Sequence, residues 1–440
     1  MCGIIAVVGH PNASQMVRFG LHALQHRGEE AVGIASSDRD QIHLVKKKGW
    51  VGEVITDEDC EKLPGNIAIG HVRYSTRGGP SGTNAQPLYA KLNTGQVAIA
   101  HNGQILNSDK LRDELEDVGA ILQTSTDTEV ILHFMSRSGR ELNTWDKLAS
   151  ALKKTSGAYS IVLLTEKEVI VARDKNGIRP LILGKIDDAI IASSETCAID
   201  FLGGRVVREV RANEQLKLIE SRVFNDWLSP ENMLCIFEHI YFARPDSVLE
   251  GKSVYDSRVN LGIQLAKECP ADVDICVPVP DSGIEAAIGY SKESGIPFER
   301  GLNKVHYAGR TFIQPGQVLR NRKIRLKLSP VVSVLKGKKV VIIDDSIVRG
   351  NTSKRIVTML RESGVKEIHM RISSPPIKFP CYYGIDTPEE EELIASSMSI
   401  QEVQRAIGCD SLEYISHKGM IKAVGVPSCC DACFSGNYPV

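Results

Sequence analysis

Apolar residues recur along this chain with two different periods, and the change between them divides it. From Cys2 to about Ile219, short apolar runs between Gly and Asn turns predict strands at Ile4 to Val8, Ile67 to Gly70, Val97 to Ala100, Ser160 to Leu164, Val169 to Ala172 and Ala189 to Ala192. Leu111, Leu115 and Val118, and again Val130, Ile131 and Phe134, fall at helical spacing, so sheet and helix layers mix in this half. Further on, strands alternate with helices: Val273 to Val279 then Ile284 to Ser294, and Lys339 to Ile343 then Ser353 to Ser363, the pattern of a parallel α/β sheet. The turn-formers Ser229-Pro230-Glu231-Asn232 separate the two, giving domains over residues 1–230 and 231–440. No fixed-period repeat or low-complexity tract is present.

Length and composition agree with two soluble domains: 440 residues, 42% apolar and 24% charged. Lys+Arg 53 against Asp+Glu 54 leaves a formal charge of -1, so no global field recruits nucleic acid or an anionic membrane. No apolar run nears the roughly 20 residues of a bilayer span, and the opening stretch has no basic segment before it, so a cytoplasmic protein is expected. In that reducing compartment the 11 cysteines read as core fillers, metal ligands or nucleophiles.

The first candidate for chemistry is Cys2. Removal of Met1 would put a thiol and an α-amino group on one residue, and an amine with a pKa near ~8 can take a proton from the thiol and return it. The competing reading is a small buried residue opening a strand. Three later segments bear on the choice: Gly70-His71-Val72-Arg73-Tyr74-Ser75-Thr76, Ala100-His101-Asn102-Gly103 and Ser125-Thr126-Asp127-Thr128-Glu129. Arg73 has the planar fork that suits a carboxylate, Asp127 the anion that suits an ammonium, and Asn102 with Gly103 the neutral donors an oxyanion needs. Each has a structural alternative: a surface ion pair, a type I′ hairpin turn at Asn102-Gly103, and a helix N-cap at Asp127, which would lack a capping box because Val130 stands at the return position.

The second candidate is Asp344-Asp345-Ser346-Ile347-Val348-Arg349-Gly350-Asn351-Thr352-Ser353, between a buried strand and an amphipathic helix. Ligands of parallel sheets bind at that end of a strand. Gly350 admits a close backbone approach, and Thr352 and Ser353 sit where a helix N-terminus cradles phosphate. The Gly-Lys-Ser/Thr ending of a nucleoside triphosphatase loop is missing. Two adjacent carboxylates repel a bare phosphate, so they call for hydroxyl donors or a divalent cation, and a ribose phosphate with Mg²⁺ supplies both; helix capping by the two Asp is the alternative. Asp281-Ser282-Gly283 repeats the strand-loop-helix design and offers amides for pyrophosphate, although alone it is a turn signal. Between the loops, Lys304, Arg310, Arg320, Arg322, Lys323, Arg325 and Lys327, with Gly301, Gly309 and Gly316, read as a basic flap over pyrophosphate, or else as a solvated charged face or a nucleic-acid patch.

The N-terminal segments, with Leu24-Gln25-His26-Arg27-Gly28, resemble the N-terminal nucleophile glutamine amidotransferases, and the acidic loop resembles that of type I phosphoribosyltransferases. Over nearly its whole length the chain resembles the amidophosphoribosyltransferases, which use glutamine and 5-phosphoribosyl-1-pyrophosphate (PRPP). The resemblance implies an α/β and α+β chain: an αββα glutaminase sandwich, then a phosphoribosyltransferase domain with a parallel sheet. It implies Cys2 as nucleophile, Asn102 and Gly103 as oxyanion hole, and Arg73 and Asp127 as glutamine ligands. For PRPP it implies Asp281, Ser282, Gly283, Lys304, Arg310, Asp344, Asp345, Ser346, Arg349, Gly350, Asn351, Thr352 and Ser353, with Mg²⁺ at Ser282, Asp344 and Asp345.

Departures from the family pattern fall at Glu29, at Val305-His306-Tyr307 and at Asn351. Cys430-Asp431-Ala432-Cys433 is by itself too little for a metal assignment. Resemblance to the cluster-bearing branch adds Cys235 and Cys381 and implies a 4Fe-4S cluster on these four, leaving Cys60, Cys197, Cys269, Cys276 and Cys409 to the core. A homotetramer inhibited by purine nucleotides is implied too. The rivals are another glutamine enzyme with the same first domain and a PRPP-sensing regulator with an inert glutaminase half.

Overall fold

The computed structural model describes residues 1–74, 82–219, 222–225, 232–304, 328–387 and 389–440. Ser75, Thr76, Ser229 to Glu231, and the expected flap from Val305 to Lys327 with Arg310, lie outside the described residues.

The first half is a four-layer sandwich whose layers follow from alternation within its strands. In Gly3–Val8, the side chains of Ile4, Ala6 and Val8 meet Ala98, Ala100, Val162 and Leu164 of a second sheet, while Ile5 and Val7 pack on Val17 and Leu21 of the helix Ala13–Ala23. Gly3–Val8 lies inside a seven-stranded sheet between Ala189–Ser193 and Ile67–Arg73, antiparallel to both. The six-stranded partner sheet centres on Gly157–Thr165, flanked by Gly95–Ile105 and Val169–Arg173. Its outer face carries Ile99, Ile161 and Leu163 against Leu111, Val130, Ile131 and Leu148 of three further helices. Each fully buried Ile or Leu contributes about 1.5–3 kcal/mol, so a one-residue slip in these strands would expose a whole core face. Val118 departs from its helical expectation: the helix Ser108–Glu116 ends before it, and it is exposed.

In the second half, Ile275–Pro278, Lys339–Asp344, Glu367–Ile372 and Ser411–Tyr414 form a four-stranded sheet, parallel throughout. Cys276, Val341 and Ile343 face Leu261, Leu265 and Tyr290 of the helices Val254–Glu268 and Ile284–Ser294. Ile275, Val277, Val340 and Ile342 face Ile356 and Leu360 of the helix Asn351–Glu362 on the other side. The five cysteines expected as fillers are all buried.

The stretch from Asn232 onward serves both halves. Leu234, Ala243 and Leu249 join the core of the first sheet, while Cys235, Ile236, Phe237 and Ile240 join the core that holds Tyr290 and Val341.

Candidate functional site

Two separate groups of polar residues gather at the ends of these sheets. The first surrounds Cys2. The ladder pairs Gly3 with Val72, which sets Arg73 opposite Cys2 at the strand end, and Arg73 is buried there. The Cys2 N–H donates to Asn102 Oδ1 at 3.2 Å, and its thiol approaches the Tyr74 carbonyl at 3.5 Å. With Oδ1 engaged, the buried Asn102 Nδ2 has no hydrogen-bond partner among the described residues, a donor held in reserve beside a nucleophile.

Asn102 and Gly103 do not form a turn. They lie mid-strand, opposite Ser160 and Tyr159, and a Cβ on Gly103 (φ +147) would stand 2.0 Å from the Ala158 carbonyl oxygen. Asp127 is likewise no cap: Thr128 precedes the helix Glu129–Arg137, and Asp127 Oδ2 accepts the Ile105 N–H at 2.8 Å. Burial pushes the Cys2 thiol up, and its neighbour Asp127 adds to the rise, so the thiol stays protonated near neutrality and needs a base. His71 is held down to about 3 by burial and the nearby Arg73 charge, and His101 is lowered by burial, so neither imidazole takes that part well. The buried Met1 amine is lowered to about 6, chiefly by desolvation.

Arg27 is a site residue that no local sequence pattern marks as one. Its Nε donates to the Cys2 carbonyl at 3.0 Å, and its guanidinium lies between the buried carboxylates of Glu195 (2.5 Å) and Glu238 (2.8 Å). Glu195 also takes His26 at 2.7 Å and Ser247 at 2.8 Å, which helps hold it well below the usual carboxylate range despite burial. A nucleophile strand is thereby tied to the start of the second half.

The second group lies where Lys339–Asp344 ends. Asp344 and Asp345 are both buried and both raised, by desolvation first and, for Asp344, by the adjacent charge. Neither caps the helix, which starts at Asn351 after Gly350 in the left-handed region (φ +73). The Asp345 carboxylate accepts from Ser346 and from Ser282, so the Asp281-Ser282-Gly283 turn meets the acidic loop. Gly283 packs so closely on the end of that strand that a Cβ would lie 2.4 Å from the Ile343 carbonyl oxygen. Lys304 pairs with Asp281, and Arg349 pairs with Glu392 through Nε at 2.9 Å. Asn351 and Thr352 are exposed in the first helical turn and Ser353 is buried. Arg258, whose charge favours ionised Asp345, donates to the His239 and Ala243 carbonyls at 2.9 and 2.7 Å; nothing in local spacing marks it.

The four expected cluster cysteines converge. Cys235 and Cys430 form a parallel bridge, with the Ile236 N–H to the Cys430 carbonyl and the Cys430 N–H to the Leu234 carbonyl both at 3.0 Å. The Phe379 N–H reaches the Cys433 carbonyl at 3.2 Å, and the Tyr383 N–H meets Cys381 Sγ at 3.4 Å. Cys381 and Cys433 pack on the core that contains the other two. Burial raises the thiols of Cys235, Cys430 and Cys433, and each would be raised further by its ionised neighbours. Among the described residues, no three His, Cys, Asp or Glu side chains stand close enough to hold a single metal ion. No helix among them is long and apolar enough to cross a membrane.

One joint connects the groups. Tyr74, next to Arg73, donates to Asp386 at 3.2 Å, and a Cβ on Gly384 would lie 3.3 Å from the Gly103 backbone. The phenol of the half-exposed Tyr241 is pushed up to about 12 by desolvation and by the charges of Asp345, Asp344 and Tyr74.

A glutamine amidotransferase domain model matches residues 71–200, and a phosphoribosyl transferase domain model matches residues 253–373. The fold and its two polar centres thus define a two-domain glutamine amidotransferase. The amidophosphoribosyltransferase of Bacillus subtilis is 47% identical over 447 residues, covering 100% of this chain and 94% of that protein. That of Methanocaldococcus jannaschii is 46% identical, covering 100% and 98%. The solved Bacillus subtilis glutamine PRPP amidotransferase, complexed with ADP and GMP, superposes with a TM-score of 0.94 at 46% identity, covering 100% of this chain and 97% of that one. This chain belongs to the amidophosphoribosyltransferase family, the glutamine-dependent pentosyltransferases of purine biosynthesis.

Proposed function

We propose that the two centres divide one reaction: glutamine is hydrolysed at Cys2, and its ammonia displaces pyrophosphate from C1 of PRPP at the Asp344-Asp345 loop. The observation that carries this reading is the shared joint, in which Tyr74 beside Arg73 touches Asp386, and Gly384 packs against the Gly103 backbone. After Met1 is removed, the Cys2 nitrogen is the α-amine and takes the thiol proton as Sγ attacks the glutamine amide carbon. Asn102 Nδ2 and the Gly103 N–H meet the oxyanion, Arg73 the substrate α-carboxylate, and Asp127 its ammonium. Ammonia leaves with that proton, and water then frees glutamate from the thioester.

At the second centre, Asp344 and Asp345 accept from ribose hydroxyls. The amides of Asp281 and Ser282 together with Lys304 hold pyrophosphate, with Gly283 shaping the turn through its own N–H to the Val279 carbonyl at 2.9 Å, and Ser346 through Ser353 hold the 5-phosphate. Arg349 would first release Glu392. Arg310 is assigned to the same substrate from the sequence alone. Ammonia attacks C1 as its bond to pyrophosphate oxygen breaks, and inversion gives 5-phospho-β-ribosylamine once the new ammonium sheds a proton. The buried, raised carboxylates with Ser282 fit a divalent cation, and Mg²⁺ bound there would neutralise charge on the leaving group.

The buried Cys235 and Cys430 together with the half-buried Cys381 and Cys433 suit a 4Fe-4S cluster, whose cube spreads its ligands wider than a single ion does. Such a cluster would staple the tail at Cys430 and Cys433 to Cys235 and Cys381. Brown, oxygen-labile protein from anaerobic purification, with iron and stability lost together in Cys433→Ser, is the expected result; colourless or zinc-bearing protein would refute the assignment. The same reading gives a boundary at residues 230 and 231, a cytoplasmic homotetramer, and inhibition by purine nucleotides, in keeping with the ADP and GMP bound by the Bacillus subtilis relative. The deciding assay supplies glutamine, PRPP and Mg²⁺ and follows glutamate and pyrophosphate together. Equal release supports the division of labour; glutamate without pyrophosphate refutes it.

A further inference from the structure

Arg179 stands where the nucleophile's surroundings meet the four cysteines, and no step of the reaction above uses it. Its side chain is 0% exposed, and Nε and Nη2 have no hydrogen-bond partner among the described residues. Nη1 lies 3.5 Å from Glu238 Oε1, and its contact with Met1 Sδ goes when Met1 is removed, which leaves Glu238 as its one anion among the described residues. Glu238 uses both oxygens on Arg27, at 2.8 and 3.0 Å, and Arg27 Nε holds the Cys2 carbonyl at 3.0 Å. On the other side, the Ile178 carbonyl accepts the Cys235 N–H at 3.1 Å, and Ile178 shares a core with Cys235 and Cys430 on which Cys381 and Cys433 pack. The guanidinium charge reaches Cys235, Cys381 and Cys430.

A buried guanidinium with two idle nitrogens is costly unless an anion faces it. Metal-bound thiolates and cluster sulfides are such anions, and they accept N–H donors. We propose that Arg179 is a positioning residue that makes glutamine hydrolysis depend on the occupied four-cysteine site. With sulfur anions on one side, the guanidinium is shared between them and Glu238. Glu238 then stays on Arg27, and Arg27 keeps the Cys2 backbone in register with Asn102. Without those anions, Arg179 competes with Arg27 for Glu238, and the Cys2 carbonyl loses its anchor. This inference rests on the cluster assignment above.

The test uses the full chain purified anaerobically, with Arg179→Met, Arg179→Lys, Glu238→Gln and the Arg179→Met/Glu238→Gln double variant. Iron content, kcat and KM for glutamine, and ammonium-dependent pyrophosphate release are read for each. Arg179→Met is expected to keep its iron, lose about tenfold or more in glutamine kcat with KM within about threefold, and hold the ammonium-dependent rate within about twofold. Lysine, which keeps the charge and guards against misfolding, should recover part of the loss. The double variant should be no worse than its worse parent, as for groups acting in series. Equal losses of the glutamine- and ammonium-dependent rates, or an unchanged glutamine kcat in iron-replete Arg179→Met, overturn the inference while leaving the cluster assignment standing. Iron-free wild-type protein overturns both.

Discussion

The two centres differ in what the chain itself supplies. Around Cys2, the groups the chemistry needs sit on neighbouring strands, and their charges are matched: Arg27 between two carboxylates, Asp127 on a backbone N–H, Asn102 with one oxygen engaged and one nitrogen in reserve. At the acidic loop, two adjacent carboxylates are buried together and both are raised, with two serine hydroxyls on Asp345 and Arg258 as the cation acting on it. The first centre is preorganised for a neutral amide that becomes an oxyanion. The second is short of positive charge until ligand and cation arrive, so its ionisation state is part of substrate binding.

The sharpest way to break this comparison is at the nucleophile. Cys2→Ala should lower glutamine-dependent turnover by about 10⁴-fold or more, since no second group can form the thioester, and leave ammonium-dependent pyrophosphate release within about twofold. Loss of both rates in a folded variant that still binds PRPP would mean the centres are not separable. Asp344→Asn with Asp345→Asn should do the converse, lowering pyrophosphate release by about 10³-fold while glutamine hydrolysis continues. Removing crowded charge should also make the ligand-free double variant more stable than wild type in thermal melts above pH 7. A less stable variant would show that the pair is already balanced without ligand.

Asp127→Asn probes the preorganised side more gently. An ammonium held equally in ground and transition states contributes uniform binding, so KM for glutamine should rise about 10²-fold with kcat changed far less. A fall in kcat at unchanged KM would move Asp127 from binding to chemistry.

Local pattern made much of this readable. The period-two strands, the parallel second sheet and the acidic loop follow from spacing alone, and the residues singled out around Cys2 do come together. Asn102-Gly103 shows the limit: the dipeptide favours a hairpin turn, but pairing with Ser160 and Tyr159 between two sheets overrides it. What stayed hidden is long-range electrostatics. Arg27 meets Glu195 and Glu238, 168 and 211 positions away, and no periodicity announces such partners. Arg258 and Tyr241 are equally silent, because only the fold brings them to Asp345.

A third place where carboxylates crowd calibrates the contrast. Glu209, on the edge strand Arg205–Glu209, accepts the Glu250 N–H at 2.5 Å, and both carboxylates share Arg173, which is 3.7 Å from Glu209 and 3.3 Å from Glu250. Burial, then the Glu250 charge, raises Glu209 to about 7 against the pull of Arg173. A folded value above the unfolded one contributes stability that is complete below about pH 4.5 and is lost as pH climbs through 7. The full excursion corresponds to about 3 kcal/mol, and the partial exposure of Glu209 trims it to about 2 kcal/mol. Glu209→Gln carries no charge to lose at this site, so between pH 5 and 8 the wild-type melting temperature should drop by a few degrees more than that of the variant. Since neither Glu209 nor Glu250 touches a substrate in the scheme above, turnover should not change. If the variant instead melts in parallel with wild type across that range, crowded acids in this fold are relieved by Arg173 alone. The raised pair at Asp344 and Asp345 would then need an explanation other than missing positive charge.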